Sequence, residues 1–120
     1  MKSNLQMKNL YFKKIVFDRK PLIEDGEYEI EISKEIRELG NHEYVVSVTT
    51  IIDKEDLRLE LEASAEFLLD TVDDTRIDSI IQNNTVAIMF PFIRSQVTLM
   101  TSQPNMSPII LPTINTAKLK

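Results

Sequence analysis

The sequence predicts an α+β domain: a four-stranded antiparallel meander sheet with one long C-terminal helix packed on one of its faces. Alternating stretches such as Glu27-Tyr28-Glu29-Ile30-Glu31-Ile32 and Leu57-Arg58-Leu59-Glu60-Leu61-Glu62-Ala63 have the period of a strand with one buried and one wet face. Candidate strands follow one another with short reversals and no intervening helix, which makes sequential neighbours antiparallel. The last third changes period: Val86, Met89, Phe90, Ile93, Val97 and Met100 recur at spacings of three or four, along one helical stripe.

Residues 10–17 mix aromatic and β-branched side chains with lysines and read as the first strand, which Pro21 ends; residues 21–26 connect it to the second. Residues 27–32 form the second strand, and Gly40-Asn41 signals the turn before the third. Residues 44–52 are rich in Val, Thr and Ile, which suit a well-covered pleated surface. A charged reversal at residues 53–56 leads into the fourth strand, which runs on to Phe67. Ile77, Ile80 and Ile81 predict a short helical turn ahead of the main helix. Because proline breaks a mid-helix turn but is tolerated in the first one, the main helix is expected to start close to Pro91 and to stop before Pro104. The proline-bracketed apolar run at residues 107–115 cannot continue a helix and reads as extended.

At 120 residues the chain forms a single domain over residues 1–120, with room for a modest core. An apolar content of 42% argues against wholesale disorder. Two glycines leave no material for a phosphate-cradling loop, so no nucleotide cofactor is expected. The absence of cysteine excludes disulfides, a thiolate nucleophile and a zinc finger, and fits a reducing compartment. A net charge of −5 and a pI near 4.9 argue against a nucleic-acid surface. No run reaches the ~20 apolar residues of a membrane span, and no apolar signal-peptide core precedes Lys13. A cytoplasmic protein is expected.

No catalytic set emerges, so the chain is read as a non-enzyme. His42 is the one histidine and lies beside a turn; with no second histidine or cysteine, no metal site is expected. Asp70, Asp73, Asp74 and Asp78 lack the glycine and terminal glutamate of a calcium loop and read as a solvated loop with a helix N-cap. Glu60 and Glu62, like Glu29 and Glu31, look like the wet side of a sheet rather than a catalytic pair. What remains is an excess of apolar side chains at the C-terminal end. Met89, Ile93 and Val97 are assigned to the core, whereas for residues 106–114 core and binding surface stay equally open.

In the C-terminal third, a helix opening on Phe90-Pro91-Phe92-Ile93-Arg94 is followed, after a loop, by Leu111-Pro112-Thr113-Ile114-Asn115. This combination resembles the SecB protein-export chaperone family, with the second proline displaced by one position. The resemblance extends more weakly through the strands to Leu10-Tyr11. It implies an ATP-independent holdase that buries apolar segments of unfolded polypeptide clients, with a groove made by Phe92, Met100, Met106, Ile109, Leu111 and Ile114. It also implies a homo-oligomer, a dimer of dimers, which suits the open edge of the first strand. An acidic sheet face carrying Asp18, Glu60 and Glu62 would dock the SecA translocation motor, although Lys14 stands where familiar members are acidic. The family pattern continues past Asn115 into a second helix and an acidic tail, whereas this sequence stops at Lys120. Short SecB-like proteins also serve antitoxins of toxin–antitoxin systems. A small apolar-ligand carrier or hotdog-like thioesterase is the alternative of another class, disfavoured because all four strands precede the helix.

Overall fold

The computed structural model describes residues 4–21, 27–70 and 74–113. Four antiparallel strands, β1 (Asn4–Arg19), β2 (Glu29–Gly40), β3 (Glu43–Lys54) and β4 (Leu57–Asp70), form one sheet in the order β1-β4-β3-β2. The part β2-β3-β4 is a meander; β1 joins it beside β4 rather than beside β2. Both β1 and β2 are therefore edges. All four strands run further than their sequence patterns announce. With β1 16 residues long, at about 3.3 Å per residue, the strands account for a molecule of 54 × 23 × 19 Å.

Alternation sets the two faces. On β3, Tyr44, Val46, Val48, Thr50 and Ile52 are buried, and on β4 so are Leu57, Leu59, Leu61, Ala63, Ala65, Phe67 and Leu69. In β1 the rhythm is interrupted by register shifts between Lys8 and Tyr11 and between Phe12 and Lys14. At the first, Asn9 takes a left-handed backbone (φ 57°) and its side-chain amide donates to the Glu66 carboxylate. The shifts let Leu5 and Met7, then Leu10 and Phe12, then Phe17 all pack toward the same core. The β2–β3 turn needs glycine at position 40, where φ is 100°.

The core lies between this face and a helical segment. A 3₁₀ turn (Asp74–Arg76) and the short α1 (Ile77–Ser79) lead into a π-helical turn (Ile80–Asn84) and then α2 (Thr85–Thr101). The predicted start near Pro91 is wrong: Pro91 is the seventh residue of a helix that begins six residues earlier. Two facts allow it. Val86, Met89, Phe90, Ile93 and Val97 are all buried against the sheet, so packing holds the helix on both sides of the proline. The Ala87 carbonyl, which loses the Pro91 N–H, belongs to an exposed residue that water can reach. Met100, the last member of the predicted stripe, is only partly buried; Thr101 is buried in its place.

Candidate binding groove

Beyond α2 the chain turns and runs back along the helix as an extended strap, residues 107–113. The turn is held by Arg19 at the end of β1, whose guanidinium donates to the Pro104 carbonyl (3.0 Å), the Asn105 carbonyl (3.2 Å) and Gln103 Oε1 (3.4 Å). One helix flank then fastens the strap. Arg94 Nε donates to the Leu111 carbonyl (2.9 Å), Thr98 Oγ1 to the Ile109 carbonyl (2.9 Å), and the Ile109 N–H to Thr101 Oγ1 (2.8 Å). The spacing explains the fit. Arg94 and Thr98 are about one helical turn apart, ~5.4 Å, and alternate carbonyls of an extended chain are separated by ~6.6 Å. Prolines at 108 and 112 keep Ser107 and Leu111 out of helical conformations.

Two concavities flank the strap. One, of about 330 Å³, lies between it and the strand ends, with Tyr28, Leu57, Met106, Pro108 and Ile109 as apolar lining and Arg19, Lys54 and Asp56 at its polar side. Lys54 Nζ sits 3.2 Å from the nearly buried Asp56 carboxylate. The other, about 600 Å³ and shallower, is formed by Pro91, Arg94, Ser95, Thr98, Leu99 and Ser102 with the strap. Ile110 borders both and is 72% exposed; Leu99 is 68% exposed.

The predicted groove residues separate into three groups. Met106 is partly buried and lines the smaller groove. Ile109 and Leu111 border the grooves, but their side chains are in the core, at 9% and 0% exposure, so the expectation that they present a surface in the isolated chain is corrected. The cause is the strap's alternation: with their carbonyls fastened to α2, both side chains turn under it while Ile110 turns out. Phe92 is half exposed but lines neither groove, and Met100 packs against the core. Ile114 lies outside the described residues, as does Asp73 of the aspartate cluster. Ile110 and Leu99 were missed as site residues. Leu99 lies seven residues after Phe92, a second helical stripe visible in the sequence once the first is assigned.

The uncovered face brings Asp18, Glu60 and Glu62 together, since Asp18 pairs in register with Arg58, Val16 with Glu60 and Lys14 with Glu62. It also interleaves them with cations. Lys14 Nζ is 2.9 Å from Glu60, Lys13 3.5 Å from Glu62, and Arg58 3.8 Å from Glu60 and 3.2 Å from Asp53. The hydrogen bond from Lys14 holds the Glu60 carboxyl below its usual range, and the same bond raises Lys14. Among the described residues, no cluster of three or more His, Cys, Asp or Glu is placed to hold a metal. No helix among the described residues is long and apolar enough to cross a membrane.

Comparison with known proteins agrees with this fold. The family model described as SecB, preprotein translocase subunit SecB, matches residues 1–119. A SecB-like chaperone of Mycobacterium tuberculosis, solved in complex with a ChAD peptide from the HigA1 antitoxin, superposes with a TM-score of 0.75 at 13% identity, covering 92% of this chain and 89% of that one. A Streptococcus agalactiae protein of unknown function superposes with a TM-score of 0.60 at 9% identity, covering 94% of this chain and 100% of that one. An uncharacterized protein of Methanocaldococcus jannaschii is 34% identical over 61 residues, which span 51% of this chain and 38% of that protein's length.

Proposed function

The chain belongs to the SecB family, and from that premise we propose that it is an ATP-independent holdase that keeps unfolded polypeptides from aggregating by covering their apolar segments. The observation that carries this is the exposed Ile110, set between two grooves on a strap that α2 and Arg19 hold in place, with the exposed Leu99 of α2 beside it in the larger groove. An apolar surface that is both exposed and fixed favours binding over collapse onto the protein's own core. Clients lie along the strap against Ile110 and Met106, with Phe92 and the partly buried Met100 extending the surface along the helix. Ile109 and Leu111 act from below, by holding the strap in place. A ligand that binds only the unfolded state lowers the free unfolded population, and no bond needs to be made or broken. The edge of β1 is the natural place for association into a dimer or a dimer of dimers, since among the described residues its outer backbone groups have no strand partner.

For the client, two readings remain: preproteins bound for export, with SecA as the receiving partner, or the antitoxin of a toxin–antitoxin pair. The sheet face favours the second. A docking face for a basic partner needs unpaired negative charge, whereas Glu60 and Glu62 already face Lys14, Lys13 and Arg58. The peptide held by the Mycobacterium tuberculosis protein, an antitoxin segment, points the same way. In either case the protein acts as a soluble chaperone in the cytoplasm. The test is turbidity of a chemically denatured client on dilution into increasing amounts of this protein without nucleotide. Suppression near equimolar amounts is expected; unchanged aggregation at excess would sink the holdase reading. Purification with the proteins encoded alongside it distinguishes an antitoxin client from exported ones.

A further inference from the structure

The strap offers more than an apolar ridge. In an extended chain the N–H and C=O of one residue point to one side and those of its neighbours to the other. Ile109, through both groups, and Leu111, through its carbonyl, are bonded toward α2. The backbone groups of residues 108, 110 and 112 therefore point away from the helix, with Pro108 and Ile110 bordering the smaller groove. Among the described residues, none of those groups has a backbone or side-chain partner. Positions 108 and 112 are prolines and have no N–H. The outward edge thus carries the carbonyls of Pro108, Ile110 and Pro112 and a single donor, the N–H of Ile110.

We propose that this edge is a main-chain recognition site, on which an extended client segment pairs antiparallel as one added strand. The proposal rests on the holdase reading and names what the site reads: the client's amide backbone. One client residue exchanges both hydrogen bonds with Ile110. The residues two before and two after it donate their N–H groups to the carbonyls of Pro112 and Pro108. Client side chains then alternate, every second one entering the groove beside Tyr28, Leu57 and Met106.

Charge complementarity selects the occupant. The edge is rich in partial negative charge, so its complement is a chain with unpaired N–H groups, the condition of an unfolded polypeptide. A second copy of the strap is the wrong partner. Pairing about Ile110 would set Pro108 opposite Pro112, carbonyl against carbonyl with no proton between them. The two prolines also limit the ladder to a short stretch, so that the edge holds a client without templating further strands.

The experiment is an N-methyl scan of a short, soluble Thr- and Val-rich peptide, titrated into the full chain by calorimetry. Methylation at alternate residues is expected to weaken binding about three- to tenfold for each bond lost, with the intervening positions unaffected. On the protein side, Ile110→Pro deletes the one outward donor and Ile110→Ala removes the side chain but keeps the N–H. The proline variant is expected to bind at least about threefold more weakly than the alanine variant. Should Ile110→Pro fail to fold, the peptide scan on the unaltered protein still decides. A flat scan, or failure of the unmethylated peptide to bind, overturns main-chain recognition. If aggregation suppression persists in those cases, the holdase reading survives; if it is absent too, both fall. Strap-dependent self-association of the chain would also overturn the choice of occupant.

Discussion

Adjacent strap residues are expected to respond in opposite ways to the same substitution. Leu111 is fully buried and Ile110 is 72% exposed, although both are large and aliphatic and lie on one extended segment. Leu111→Ala removes a buried isobutyl group and leaves a cavity between strap, helix and sheet, a change that costs about 2–5 kcal/mol. Against a total stability of about 5–15 kcal/mol for a domain this is severe. At about 3–6 °C per kcal/mol for a chain of this size, melting falls by roughly 6–30 °C. Ile110→Ala exposes nothing new and shifts stability by less than about 0.5 kcal/mol, while removing the ridge a client would cover. The assay is thermal unfolding by circular dichroism for both variants, with aggregation suppression measured alongside. Equal melting temperatures for the two would refute the alternation on which the groove assignment and the outward edge both rest. So would a loss of suppression in Leu111→Ala at a temperature where it remains folded, with Ile110→Ala fully active.

Val97→Asp places an unpaired carboxylate at a fully buried helix position and is expected to unfold the domain at a cost of several kcal/mol, read as loss of the cooperative melting transition. Gly40→Ala meets no atom within 4 Å of the added Cβ, so its cost is conformational, about 1–2 kcal/mol for a side chain at positive φ, measured by urea denaturation. For pH, the depressed Glu60 pKa makes its contribution fully present above the ordinary glutamate range and lost as pH falls through the lower folded value. The raised Lys14 pKa acts oppositely, its contribution present below the ordinary lysine range and lost as pH rises through the higher folded value. Lys14→Met is therefore expected to flatten the acid side of a stability-against-pH profile; an unchanged acid limb would show that the pair is not formed in solution.

How much of this was readable in the sequence depended on whether local pattern or distant packing decided. In β3 and β4 a single period of two holds from end to end, and both the strands and their buried faces follow from it. The helical stripe from Val86 to Val97 was equally clear. The start of α2 was not, because local proline chemistry points to Pro91 and only burial of Ile80, Ile81 and Val86 overrides it. The strand order was hidden as well, since a short connection suggests β1 beside β2 while the pairing of β1 with β4 is a contact distant in sequence. In the strap, two prolines and an apolar run announce extended chain without saying which side faces in; that is decided by Arg94 and Thr98. The acidic face was half legible: Glu60 and Glu62 were placed, but that Lys13 and Lys14 both reach them follows from the register shift at Phe12.

The paired register shifts in β1 behave like a reading frame. Each advances the strand by one residue, so the segments before, between and after them are in different phases and yet all direct apolar side chains inward. Deleting Asn9 would remove the first shift and put residues 4–8 out of phase, turning Leu5 and Met7 to the solvent face and Gln6 and Lys8 toward the core. Restoring the phase would take a compensating insertion upstream of Tyr11 rather than a better side chain at any position. Along this strand, then, substitutions are tolerated one at a time, but changes in length are tolerated only where they keep the frame.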